Sequence, residues 1–94
     1  MSPIEKSLTI TNKYGLHARA STRLAQVAME FQSSIRIRRL SGDGSPEVDV
    51  KSVLGILSLG AEHGEDVQFT IDGPDAEQAL LAIEDIFERR FDEE

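Results

Sequence analysis

Apolar and polar residues alternate with period two in four short stretches of this chain, which constrains its fold more than any other feature. Leu8 and Ile10 alternate with Thr9 and Thr11, and Ile35 and Ile37 with Arg36 and Arg38. Val48 and Val50 alternate with Glu47 and Asp49, and Val67, Phe69 and Ile71 with Gln68, Thr70 and Asp72. Each stretch predicts a strand with one dry and one wet face. Between them the period is helical. Leu24, Val27, Ala28 and Phe31 fall at i, i+3, i+4 and i+7, predicting a helix of about four turns from His17, with Arg23, Gln26 and Glu30 pointing away. Ser52 opens a short apolar helix through Leu59, and Gly60 is placed to close it. Asp75 with Gln78 three residues on resembles a capping box, and Ala76, Ala79, Leu80, Ile83 and Phe87 form the stripe of a last helix.

Turn signals at Asn12-Lys13-Tyr14-Gly15, Gly42-Asp43-Gly44-Ser45 and Gly73-Pro74 separate these segments, giving the order β-α-β-β-α-β-α. One-sided strands and one-sided helices are satisfied together by an α+β open-faced sandwich. A four-stranded antiparallel sheet carries all three helices on one face and water on the other. Residues 1–94 are read as a single domain, without repeat or linker. The first few residues and Asp92-Glu93-Glu94 read as frayed ends.

Net charge is −7, unevenly spread. Residues 1–46 carry seven Lys/Arg against three Asp/Glu, and residues 47–94 carry three against fourteen. An acidic chain with one Tyr and no Trp argues against nucleic acid or an anionic membrane as partner. Without cysteine there is no disulfide, thiolate catalysis or cysteine-ligated metal, and two distant histidines argue against zinc, so no metal or cofactor is expected. Met-Ser-Pro-Ile-Glu-Lys-Ser lacks a signal-peptide core and no apolar run reaches membrane-spanning length, which predicts a cytoplasmic protein.

The basic half contains Gly15-Leu-His17-Ala-Arg19-Ala20, where a short strand gives way to a helix. His17 is expected at or beside the N-cap. The positive helix end disfavours a second positive charge, and neutral imidazole is the nucleophile. Once the ring carried a phosphoryl group, the free N–H groups of the first turn would stabilise its charge, and Arg19 could pair with two of its oxygens. Nothing nearby reads as a base for water, which suits a site that keeps a phosphoryl group until another protein takes it. A histidine near a helix start also serves as an ordinary cap or surface residue, and spacing alone leaves both readings open. His63 reads as a solvated turn residue, and Arg36, Arg38 and Arg39 as the wet face of the sheet.

Ile10-Thr-Asn-Lys-Tyr-Gly-Leu-His17-Ala-Arg19 resembles the phosphorylation segment of the HPr family, phosphocarriers of the bacterial phosphoenolpyruvate-dependent phosphotransferase system. Lys51-Ser52-Val-Leu-Gly-Ile-Leu-Ser-Leu-Gly60 resembles that family's second helix. The resemblance covers nearly the whole chain. It implies a monomeric carrier, not a turnover enzyme, in which His17 takes phosphate from enzyme I on Nδ1 and passes it to an EIIA-type domain, with Arg19 assisting. The family ordinarily has proline where this chain has Ala20. Proline fixes φ and lacks an N–H, so alanine is expected to alter transfer rate or phosphohistidine lifetime.

Ser52 suits a helix N-cap in any protein. The resemblance adds phosphorylation by a dedicated HPr kinase/phosphorylase that weakens uptake at the histidine. It also implies docking through Val53, Leu54 and Leu57 of the second helix, with Ala20, Thr22, Arg23 and Gln26 of the first, while Ile56 and Leu59 supply the core contact. Ile-Thr-Asn-Lys and the acidic end look similar to the nitrogen-related (NPr) branch, whereas the Ser52 helix is more similar to the carbohydrate branch that serves sugar transport. Two rivals remain: a regulatory adaptor that signals through Ser52 without phosphoryl transfer, and a small-ligand-sensing α+β domain.

Overall fold

A computed structural model describes residues 2–93. Its elements are β1 (Ile4–Thr9), α1 (Ala18–Met29), β2 (Ser34–Arg39), β3 (Val48–Asp49), α2 (Val53–Ser58), β4 (Asp66–Asp72) and α3 (Ala76–Glu88), followed by a 3₁₀ turn at Arg90–Asp92. The strands form one antiparallel sheet in the order β1-β4-β2-β3. Register explains why alternation was so informative. Leu8 pairs with Val67, Ile35 with Ile71, and Ile37 with both Phe69 and Val48, so apolar side chains meet apolar side chains on the face under the helices. Phe69, Ile71 and Val67 of the central strand β4 are fully buried beneath Leu24, Ile56 and Ile83 from the three helices. Among the described residues, no helix is long and apolar enough to cross a membrane.

Three expectations are corrected. The buried stripe of α1 is Ala20, Ser21, Leu24, Ala25 and Ala28, with Val27 and Phe31 only partly covered. Small side chains let the helix lie close to the rest of the core, so the stripe is rotated toward alanines that a count of large residues underweights. The capping box at α3 does not form. Asp75 occupies the N-cap, yet its carboxylate accepts from the Gln32 N–H at 2.9 Å, the Ser33 N–H at 2.9 Å and the Ser33 hydroxyl at 2.5 Å. It therefore ties the exit of α1 to the start of α3 instead of closing its own helix.

Those bonds, the Ser33 hydroxyl foremost and then the Gln32 N–H, hold the Asp75 carboxyl below the usual carboxylate range. A carboxyl depressed in the folded state contributes stability above its unfolded pKa and loses it as pH falls through the lower folded value. Denaturant titrations across acidic pH should therefore show a shallower loss of stability for Asp75→Asn than for wild type. Equal slopes would show that these bonds do not favour the ionised carboxyl over the protonated one.

The third correction concerns the C-terminus, where Asp92 and Glu93 are ordered onto the body and Glu94 lies outside the described residues. Phe91 is buried, tilted against Phe87 at 5.2 Å, and Phe87 meets Phe69 edge-on at 5.6 Å. Arg90, Phe91 and Asp92 all take left-handed φ of 52°, 56° and 58°. A non-glycine residue there costs ~1–2 kcal/mol. Burial of the Phe91 ring, at ~1.5–3 kcal/mol, offsets much of that. Asp92 adds ion pairs with Arg89 at 3.0 Å and Arg23 at 3.4 Å.

Candidate functional site

The loop from β1 to α1 is pressed against residues 61–62. Leu16 N–H donates to the Ala61 carbonyl at 2.9 Å. Gly15 sits at φ +67°, where an added Cβ would lie 2.7 Å from both the Ala61 oxygen and the Glu62 Cα. Only glycine allows that approach together with that backbone. Asn12, buried in the same turn, donates through Nδ2 to the Gly15 carbonyl at 2.7 Å, while His63 Nδ1–H donates to the Asn12 carbonyl at 3.2 Å. The loop thus delivers the next residue in extended conformation at the mouth of α1.

That residue is His17, the N-cap, with φ −77° and ψ −176°. Its Nδ1 accepts from the Arg19 backbone N–H at 3.2 Å, and its Nε2 contacts the Glu93 carboxylate. A backbone N–H can only donate, so Nδ1 carries the lone pair and Nε2 the hydrogen. The other Glu93 oxygen accepts from Asn12 Nδ2 at 3.1 Å. The Tyr14 ring stands edge-on to the imidazole at 5.9 Å, and the His17 side chain keeps 31% of its surface exposed. Intrahelical bonding begins with Ser21 N–H to the His17 carbonyl at 2.8 Å, so the N–H groups of Ala18, Arg19 and Ala20 precede the ladder. Arg19 is exposed, and no described carboxylate lies within ion-pair distance of its guanidinium.

Ala20, expected on a docking surface, is instead fully buried, because the third helical position turns inward beside Leu24. It can offer the site only its backbone. Thr22 and Gln26 are exposed on α1, and Arg23 is half-buried with a guanidinium nitrogen 3.4 Å from Asp92. Helix α2 packs against α1. The Ser52 hydroxyl caps α2, accepting the Gly55 N–H at 3.0 Å. Ile56 and Leu59 enter the core as expected, Val53 and Leu57 are half-buried, and Leu54 is 78% exposed. Gly60 follows the helix at φ +60°, the left-handed stop anticipated for it. Sequence reasoning missed Asn12, Tyr14 and Glu93. An asparagine in a turn and a glutamate in an acidic tail carry no local mark of their partner 81 residues away.

A model of the PTS HPr component phosphorylation site matches residues 4–89. The chain is 43% identical to phosphocarrier protein HPr of Xylella fastidiosa, over 97% of this chain and 98% of that one. It is 41% identical to phosphocarrier protein NPr of Shewanella violacea, over 99% and 98% of the two chains. The crystal structure of HPr-C-His from Thermoanaerobacter tengcongensis superposes with a TM-score of 0.86 at 38% identity, covering 97% of this chain and 98% of that one. Fold, histidine-capped helix and these likenesses together define a phosphocarrier of the phosphotransferase system. The chain belongs to the HPr family. Because the match is to a phosphorylation site, the adaptor without phosphoryl transfer finds no support.

Proposed function

We propose that His17 is the phosphoryl acceptor of this carrier, taking the group on Nδ1 from phosphorylated enzyme I and yielding it to an EIIA-type domain, as a cytoplasmic monomer. The carrying observation is the Arg19 N–H aimed at Nδ1, which leaves that nitrogen with its lone pair. As Nδ1 attacks, the donor's bond to phosphorus breaks while the Nδ1–P bond forms, and Nε2–H stays in place. The long Arg19 N–H bond is readily exchanged for a phosphoryl oxygen. The neighbouring N–H groups of Ala18 and Ala20 and the exposed Arg19 guanidinium add further donors. Phosphoryl transfer asks mainly for alignment and charge stabilisation, and these groups supply both. The one carboxylate on the ring among the described residues, Glu93, is occupied by Nε2–H and Asn12, so it is not free to activate water. Incubation with phosphoenolpyruvate and enzyme I, followed by locating the label, tests the assignment.

Exposed Leu54 with half-buried Val53 and Leu57, beside Thr22, Arg23 and Gln26 on α1, forms the docking surface in this reading. A phosphate on Ser52 would set close to two negative charges at the edge of that surface while suiting the helix start it caps. Slower uptake at His17 in Ser52→Asp than in Ser52→Ala supports such regulation, and equal uptake removes it. Ala20→Pro deletes one N–H from the first turn. Loss of one hydrogen bond to a charged group predicts a several-fold shorter phosphohistidine lifetime, and an unchanged decay rate would show that the Ala20 N–H never reaches the phosphoryl group.

A further inference from the structure

The C-terminal turn brings a carboxylate to the ring nitrogen that does not react. We propose that Glu93 is a positioning residue for phosphoryl transfer, holding the His17 ring by Nε2–H so that Nδ1 faces the incoming group; this rests on the assignment of His17 as acceptor. The Glu93 side chain is only 9% exposed, and a carboxylate so covered needs partners. Both oxygens have one, His17 Nε2–H and Asn12 Nδ2–H, and Asn12 is itself fixed by its bond to the Gly15 carbonyl. The backbone carrying Glu93 is equally committed. Three successive left-handed residues and the buried Phe91 anchor bend the chain back from the end of α3 to the start of α1.

The two contacts on the imidazole are of opposite polarity, a donor at Nδ1 and an acceptor at Nε2. Flipping the ring by half a turn would put carbon at both places, so a single orientation and a single tautomer satisfy them. The contact with Glu93 also strengthens as the reaction proceeds. When the Nδ1–P bond forms and the donor's bond electrons leave with the donor, Nε2–H remains and the ring becomes cationic. No proton departs and no co-reactant is required. The Glu93 carboxylate then faces an imidazolium, an interaction worth more in the transition state than before it.

The test compares wild type with Glu93→Ala and Glu93→Gln, using nitrogen-15 spectra of the His17 ring and transfer rates from phosphorylated enzyme I. Glu93→Ala should slow labelling roughly tenfold, the scale of one charge-assisted hydrogen bond, and lose the single-tautomer ring signature. Glu93→Gln, whose amide oxygen still accepts Nε2–H, should keep that signature yet remain slower than wild type for want of the charge. Unchanged rate and ring signature in Glu93→Ala would overturn the proposal, as would faster transfer, which would mark Glu93 as an occluding cap. Wild-type label found on His17 with an indifferent Glu93→Ala defeats this proposal alone. Wild type that takes no label at His17 defeats the acceptor assignment beneath it.

Discussion

His17→Ala is expected to take up no acid-labile phosphate from phosphoenolpyruvate and enzyme I, where wild type is labelled to near stoichiometry. Alanine removes both ring nitrogens from the helix mouth. The other histidine, His63, lies in a separate loop and donates its Nδ1–H to the Asn12 carbonyl. A phosphoryl group arriving at the first turn would still meet N–H groups and the Arg19 side chain, but no imidazole to form an acid-labile N–P bond. Loss of labelling should therefore be complete, while the fold survives. The ring is partly exposed and touches Tyr14 and Glu93, none of which the core needs. Acid-labile label persisting in a folded His17→Ala protein would move the acceptor elsewhere.

Phe91→Ala is the second large effect, and it falls on stability. Truncating a buried phenylalanine costs ~3–5 kcal/mol, a large part of the ~5–15 kcal/mol that holds a domain of this size together. The melting temperature should drop by about 15 °C or more. Phe91 also sits at the centre of three left-handed residues whose conformation its burial sustains. Its removal should release the C-terminal turn, freeing Asp92 from Arg23 and Glu93 from His17. Calorimetry reads the first consequence and the His17 ring resonances the second. A melting temperature within a few degrees of wild type would show that the turn is stabilised by something other than the aromatic stack.

Much of the fold was legible because alternation reports which face of a strand is dry, and four such reports with three helical stripes admit few arrangements. One strand pair was legible, since the Gly42–Ser45 turn predicts the hairpin that β2 and β3 form, but the neighbours of β4 were not. The pattern of β4 says that Val67, Phe69 and Ile71 point inward but not that Leu8 and Ile37 lie on either side of it. The docking helix was half legible. Ile56 and Leu59 were expected in the core and are there, whereas the exposure of Leu54 depends on how α2 is tilted against α1. Ala20 misled because a methyl group weighs little in any apolar pattern, yet it is the small side chain that fits under the first turn.

By itself, the order of residues determined the local chemistry: a histidine at an extended cap whose Nδ1 accepts the N–H of an arginine two places on, at the N–H-rich first turn of a helix. Contacts across tens of residues decided the rest, since only folding brings the Glu93 carboxylate, held by Asn12, to the Nε2 of the imidazole. Short-range geometry follows from bond connectivity and backbone preference. Which distant carboxylate reaches a ring depends on the strained turn around Phe91, and that turn persists only because the core accepts its anchor.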